Sequence, residues 1–122
     1  MSVLVAVPDS AEGTAALVAA AQEAEMLGTD LVILNLALKP LDRRTVPAGA
    51  TVVERSGPAD RDPVDAVLDE IAGRTVDRLV IGVRRRSRVG KAFIGSISSR
   101  LLMESPVPVL AVKLPVSEHH PG

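Results

Sequence analysis

The sequence predicts one small α/β domain: a parallel open sheet with helices on both of its faces. Three observations carry that expectation. Five short apolar runs alternate with helix-patterned stretches along the chain. The segments joining the runs have the length that right-handed parallel crossovers need. The apolar 47% of residues is almost wholly Ala, Val, Leu and Ile, with one Phe and neither Trp nor Tyr. Such an aliphatic mix suits a buried sheet packed by Ala-rich helices. At 122 residues the chain has the usual size of a single domain, expected over residues 1–114 with a mobile tail over 115–122.

The first element is the apolar run Ser2 to Val7, a strand buried on both faces and closed by Pro8-Asp9-Ser10. From Ala11 the spacing turns helical, with Leu17, Ala20, Ala21, Ala24 and Leu27 on one face and Gly28 where a C-cap glycine belongs. Asp30 to Leu38 repeats the buried-strand signature. The stretch from Leu38 to Thr51 has no periodicity and reads as a loop with room for a short helical turn. Thr51 to Ser56 is a third strand, expected at an edge. A helix follows with Asp62 as N-cap, Pro63 at its first position, and Val64, Val67, Leu68, Ile71 and Ala72 in one stripe. Leu79 to Val83 is the fourth strand. Ser96 to Glu104 is a helix with Ile97, Leu101 and Leu102 inward, and Val107 to Val112 is the fifth strand. Pro106 and Pro108 remove ladder donors there, which suits an edge.

Composition also narrows the functional classes. Without cysteine there are no disulfides, zinc-thiolate sites or thiol chemistry. The near absence of aromatic side chains removes the stacking platform of single-stranded nucleic-acid binders. A net charge of -1 requires any attraction for an anion to come from a local cluster. A basic patch at Arg84 to Arg86 for nucleic acid or a membrane surface is weighed down by that near-neutral charge and by the lack of a basic amphipathic helix with an aromatic face. The chain opens without a basic leader or signal-like apolar core and holds no run long enough to span a membrane, so the cytoplasm is the expected compartment.

In doubly wound sheets ligands sit beyond the carboxyl ends of the strands, where strand order reverses, which directs attention to the loops Pro8 to Glu12 and Val83 to Ser96. The run GVRRRSRVGKAFIGS from Gly82 to Ser96 joins five cations to glycines and a helix N-terminus. Glycine permits close backbone approach, first-turn amides point at an anion, Ser96 adds a hydroxyl, and Arg84, Arg85, Arg86, Arg88 and Lys91 add charge. The bland alternative is a solvated basic loop. The run is not a Walker A loop, since Arg85 replaces the first glycine and Ala92 follows Lys91. Nor is it a G-x-G-x-x-G turn. The serines have no histidine neighbour, His119 and His120 lie in the tail, and Asp60, Asp62, Asp65, Asp69 and Glu70 have the spacing of helix-start and solvent-face residues. No catalytic group or metal site is expected. Phe93 is read as a plug between loop and core.

The loop resembles the phosphate loop of the universal stress protein (UspA-like) family, whose ATP-binding members carry G-x2-G-x9-G-[ST]. Val3-Leu4-Val5-Ala6-Val7, Asp77-Arg78-Leu79-Val80-Ile81-Gly82, Gly95-Ser96 and the stretch from Ser105 to Val112 follow that family's landmarks in order. The resemblance implies a Rossmann-like, adenine nucleotide alpha hydrolase-like sheet of strand order 3-2-1-4-5. It also implies a stress-response or regulatory role and a homodimer through the last strand, carried by Val107, Val109 and Val112. Aligned on Gly82 and Gly95-Ser96, the middle glycine falls on Arg85, Arg88 replaces the next one, Gly90 is extra, and the aspartate that ends strand one falls on Pro8 beside Asp9 and Ser10. Two outcomes stay open. In one, ATP or an AMP-type nucleotide, with any Mg2+ it carries, binds to amides of Gly95, Ser96 and Ile97 and to Arg84 or Lys91, with Asp9 near the ribose and Asn35 or Leu36 near the base. In the other, the site takes another small anion, or the protein is a dimeric interaction module that binds no nucleotide.

Overall fold

A computed structural model describes residues 1–8, 10–37, 39–54, 62–84 and 96–114. Its elements are β1 (Ser2–Val7), α1 (Ala11–Leu27), β2 (Asp30–Asn35), a 3-10 turn (Arg43–Thr45), β3 (Thr51–Glu54), α2 (Pro63–Gly73), β4 (Val76–Arg84), α3 (Ser96–Glu104) and β5 (Val109–Leu114). All strand pairings are parallel and the order is β3-β2-β1-β4-β5. Strand order reverses between β1 and β4.

Alternation along the central strands divides the core into two aliphatic layers. Val3, Val5, Leu31, Ile33 and Val80 meet Ala16, Leu17, Ala20 and Ala24 of α1 on one face. Leu4, Val32, Leu34, Leu79 and Ile81 meet Val64, Val67 and Ile71 of α2 and Leu101 of α3 on the other. Small alanines let α1 lie close over the sheet. Gly28 ends that helix at φ 65°, and the Thr29 amide returns to the Ala24 carbonyl at 3.0 Å, the left-handed cap that glycine adopts without strain.

Several boundaries differ from expectation, each for a visible reason. β2 stops at Asn35 rather than Leu38, because the Asn35 side chain accepts the Ala37 amide at 3.0 Å and turns the chain out of the sheet. β4 begins at Val76, three residues early. A register shift against Ser2 and Val3 lets its charged start pair with β1, and Arg78 bonds to Glu23 of α1. β5 runs from Val109 to Leu114 instead of from Val107 to Val112: Pro106 and Pro108 have no amide to donate, although the Pro108 carbonyl still accepts from Leu79 at 2.9 Å. Val107 therefore precedes the strand and packs against the α2/α3 layer. Leu27 is 46% exposed in the last turn of α1, and on α3 Ile97 and Leu102 are 42% and 39% exposed while Leu101 is at 1%. With nine residues, α3 seats one stripe on the sheet, and Leu101 holds it. The end of the expected third strand, at Ser56, lies outside the described residues, as does the tail.

Candidate functional site

Two glycines fix the geometry where β1 and β4 diverge. A Cβ on Gly82 would stand 2.2 Å from the Glu12 carbonyl oxygen, and one on Gly13 would stand 2.2 Å from that of Pro8. Both contacts are backbone, so neither can move aside as a side chain would. The first turn of α1 thus rests directly on β4 and on the turn after β1. Ser10 occupies the N-cap position in extended conformation, and its carbonyl accepts the Gly13 amide at 3.0 Å. Its hydroxyl makes no capping bond, and the residue borders the cavities on either side.

One cavity, of about 360 Å³, opens at the switch point on the α2/α3 face. Ala6, Leu36, Ile81 and Leu101 give it an apolar floor, while Ser10, Glu12 and Ser98 stand at its walls. Pro63 and Ile97 bring the starts of α2 and α3 to its mouth. Those helices are tied together: Asp62 accepts the Val64 amide at 2.9 Å as N-cap and pairs with Arg100 of α3 at 2.8 Å. The Arg100 hydrogen bond, followed by the Val64 amide, holds the Asp62 carboxyl below the usual carboxylate range, and the same pairing raises Arg100.

A second cavity, of about 250 Å³, lies on the α1 face of the same turn and is walled by Val7, Leu17, Thr14, Asn35, Leu41 and Thr45. Pro8 and Ser10 border both. The 3-10 turn closes the far side, capped by Asp42, which accepts the Arg44 amide at 3.0 Å and pairs with its guanidinium at 3.1 Å. That side-chain bond, and then the amide, lower the Asp42 carboxyl from its ordinary value.

Five of the expected site residues converge on the first cavity: Pro8, Ser10, Leu36, Gly82 and Ile97. Arg84 ends β4 and Ser96 begins α3. Asp9, Arg85, Gly90, Lys91 and Gly95 lie outside the described residues. Asn35 borders the second cavity instead, fully buried, with its amide group committed to Lys39, Glu54 and Ala37. It shapes the site rather than offering a free edge to a ligand. Pro63 and Ser98 had not been assigned to the site. A proline at a helix start and a serine in the first turn of α3 were visible signals, but only the return of both helices to one sheet edge makes them neighbours. Among the described residues no group of three His, Cys, Asp or Glu side chains could hold a metal ion, and no helix is long and apolar enough to cross a membrane.

A model of the universal stress protein family matches residues 37–113, more than half of the chain. A universal stress protein of Mycolicibacterium smegmatis is 45% identical over 56 residues, 46% of this chain and 43% of that protein. The chain matches less than half the length of the curated relatives it resembles. A universal stress protein structure from Archaeoglobus fulgidus superposes with a TM-score of 0.68 at 25% identity, covering 93% of this chain and 98% of that one. A universal stress protein in complex with cAMP gives a TM-score of 0.68 at 22% identity, covering 92% and 95%, and shares the fold.

Proposed function

This chain belongs to the universal stress protein family, and from that premise we propose that it is a cytoplasmic stress-response regulator that binds an adenine nucleotide, ATP or an AMP-type ligand. The observation that carries the proposal is the cavity between the ends of β1 and β4, with the start of α3 at its mouth. Its volume lies in the range of small-molecule sites, and its apolar floor with a few polar groups is the usual lining of one. The loop from Gly82 to Ser96 supplies the cations for the phosphates. Support also comes from the relative of the same fold solved with cAMP. Any Mg2+ arrives with the phosphates.

The proposed role is binding rather than turnover, with at most slow, incidental ATP hydrolysis; Ser10, Glu12 and Ser98 are the polar residues of the lining. The proposed homodimer uses the open edge of β5, where Val109, Leu110, Ala111 and Val112 remain only partly buried. A second possibility, a site for another anion or a dimeric interaction module without nucleotide, is favoured by Arg85 at the motif's middle glycine and Pro8 at its aspartate. Thermal unfolding at low salt with ATP, AMP and inorganic phosphate separates them. The nucleotide proposal expects ATP and AMP to raise the midpoint more than phosphate does. A rise with phosphate alone, or none, contradicts it.

A further inference from the structure

The turn after β2 is the partition between the two cavities. Leu36 faces the one at the switch point, and Ala37 and Lys39 face the one under α1. Leu36 is still tied to β1, its amide donating to the Val7 carbonyl at 2.9 Å. Beyond that point Asn35 takes over. Its Oδ1 accepts the Ala37 amide at 3.0 Å, and its Nδ2 donates to the Lys39 carbonyl at 2.9 Å and to Glu54 Oε1 of β3 at 2.8 Å. An asparagine amide can face either way, and the two orientations exchange donors for acceptors. The Ala37 amide as donor and the Lys39 carbonyl as acceptor fix one orientation of the Asn35 side chain, and the acceptor oxygen of Glu54 ties that clamp to β3, the one of the three bonds that leaves the turn for another strand.

Leu36 and Gly82 follow the sheet positions of β2 and β4, two strand spacings or about 10 Å apart across β1. With phosphates at the Gly82 end, the uncharged base falls at the apolar Leu36 end. We propose that Glu54 is a positioning residue for the base: acting through Asn35, it sets the turn whose Leu36 forms the base-side wall. This rests on the nucleotide reading above. Glu54 touches no ligand, and its effect is confined to the end of the cavity away from the phosphates.

The test uses the full chain with Glu54→Ala and Glu54→Gln, titrated calorimetrically with adenosine, AMP and ATP, together with amide exchange at Ala37. Glu54→Ala is expected to weaken all three ligands by the same factor, about tenfold for one lost charge-assisted bond, and to speed exchange at Ala37. Glu54→Gln, which keeps an acceptor oxygen, is expected to restore most of the affinity. A loss confined to ATP, or unchanged affinity in Glu54→Ala, overturns the assignment to the base. Wild-type protein that binds none of the three overturns the nucleotide reading itself. In that event faster Ala37 exchange in Glu54→Ala still sustains the latch, and unchanged exchange overturns it.

Discussion

Gly82 was legible both as a residue of the fourth strand and as the first glycine of the phosphate loop, yet its structural work is different. It lies in β4 beneath the Glu12 carbonyl, where a Cβ would be 2.2 Å from that oxygen. Spacing along the chain cannot reveal such a contact, since it exists only after α1 docks. Gly82→Ala must push the first turn of α1 off the sheet, and the expected cost is about 1–3 kcal/mol, the range for overpacking, read from urea unfolding. The same shift deforms the switch-point cavity, so nucleotide affinity should fall with it. A variant as stable as wild type would remove the close approach from the account. Asn35 teaches a related lesson. The family resemblance put it near the base, whereas in the structure it is buried and its side chain makes three hydrogen bonds within the protein. A polar residue at the end of an apolar run looks the same in sequence whichever role it takes.

Among the elements, α2 was the most legible, because Asp62, Pro63 and most of the apolar stripe agree on one helix and one face, although Ala72 is exposed and Ala66 is buried in its place. β5 was misplaced by two residues, since its valines before and after Pro108 look alike and only pairing with β4 distinguishes them. The link between α2 and α3 was not legible at all: Asp62 and Arg100 are 38 residues apart in sequence. Their pairing gives a pH prediction with a definite sign. The folded-state pKa of Asp62 lies below the ordinary carboxylate value, so the pair's contribution is complete above that value and is lost as pH falls through the lowered folded one. Asp62→Asn keeps an oxygen for the Val64 amide and removes the charge. Wild type should therefore exceed the variant in stability near neutral pH, with the difference shrinking in strong acid and at high salt, both being exposed groups. An equal gap at all pH values would show that the cap, and not the ion pair, carries the effect.

For the whole molecule, the alternation of buried runs and helices was enough to give an aliphatic parallel α/β sheet, because strands covered on both faces leave unbroken apolar stretches in sequence. The site was only half legible. Glycines and cations mark the side proposed for the phosphates, whereas Leu36, Pro63 and the turn that Asn35 and Glu54 hold, on the side proposed for the base, come together only in the fold and are announced by no contiguous motif. At the sheet's open end, β5 leaves one ladder edge unpaired among the described residues. Sedimentation at micromolar concentration should give twice the mass of the 122-residue chain, and a monomer would contradict the proposed pairing.

The central claim is that an adenine nucleotide occupies the cavity between β1 and β4. Titration of AMP into isotopically labelled protein, followed by amide resonances, tests it most directly. The account predicts saturable shifts at Ser10, Leu36, Gly82, Ile97 and Ser98, which surround that cavity. No saturable shift at millimolar AMP, or shifts confined to Thr14 and Thr45 in the cavity under α1, would contradict it.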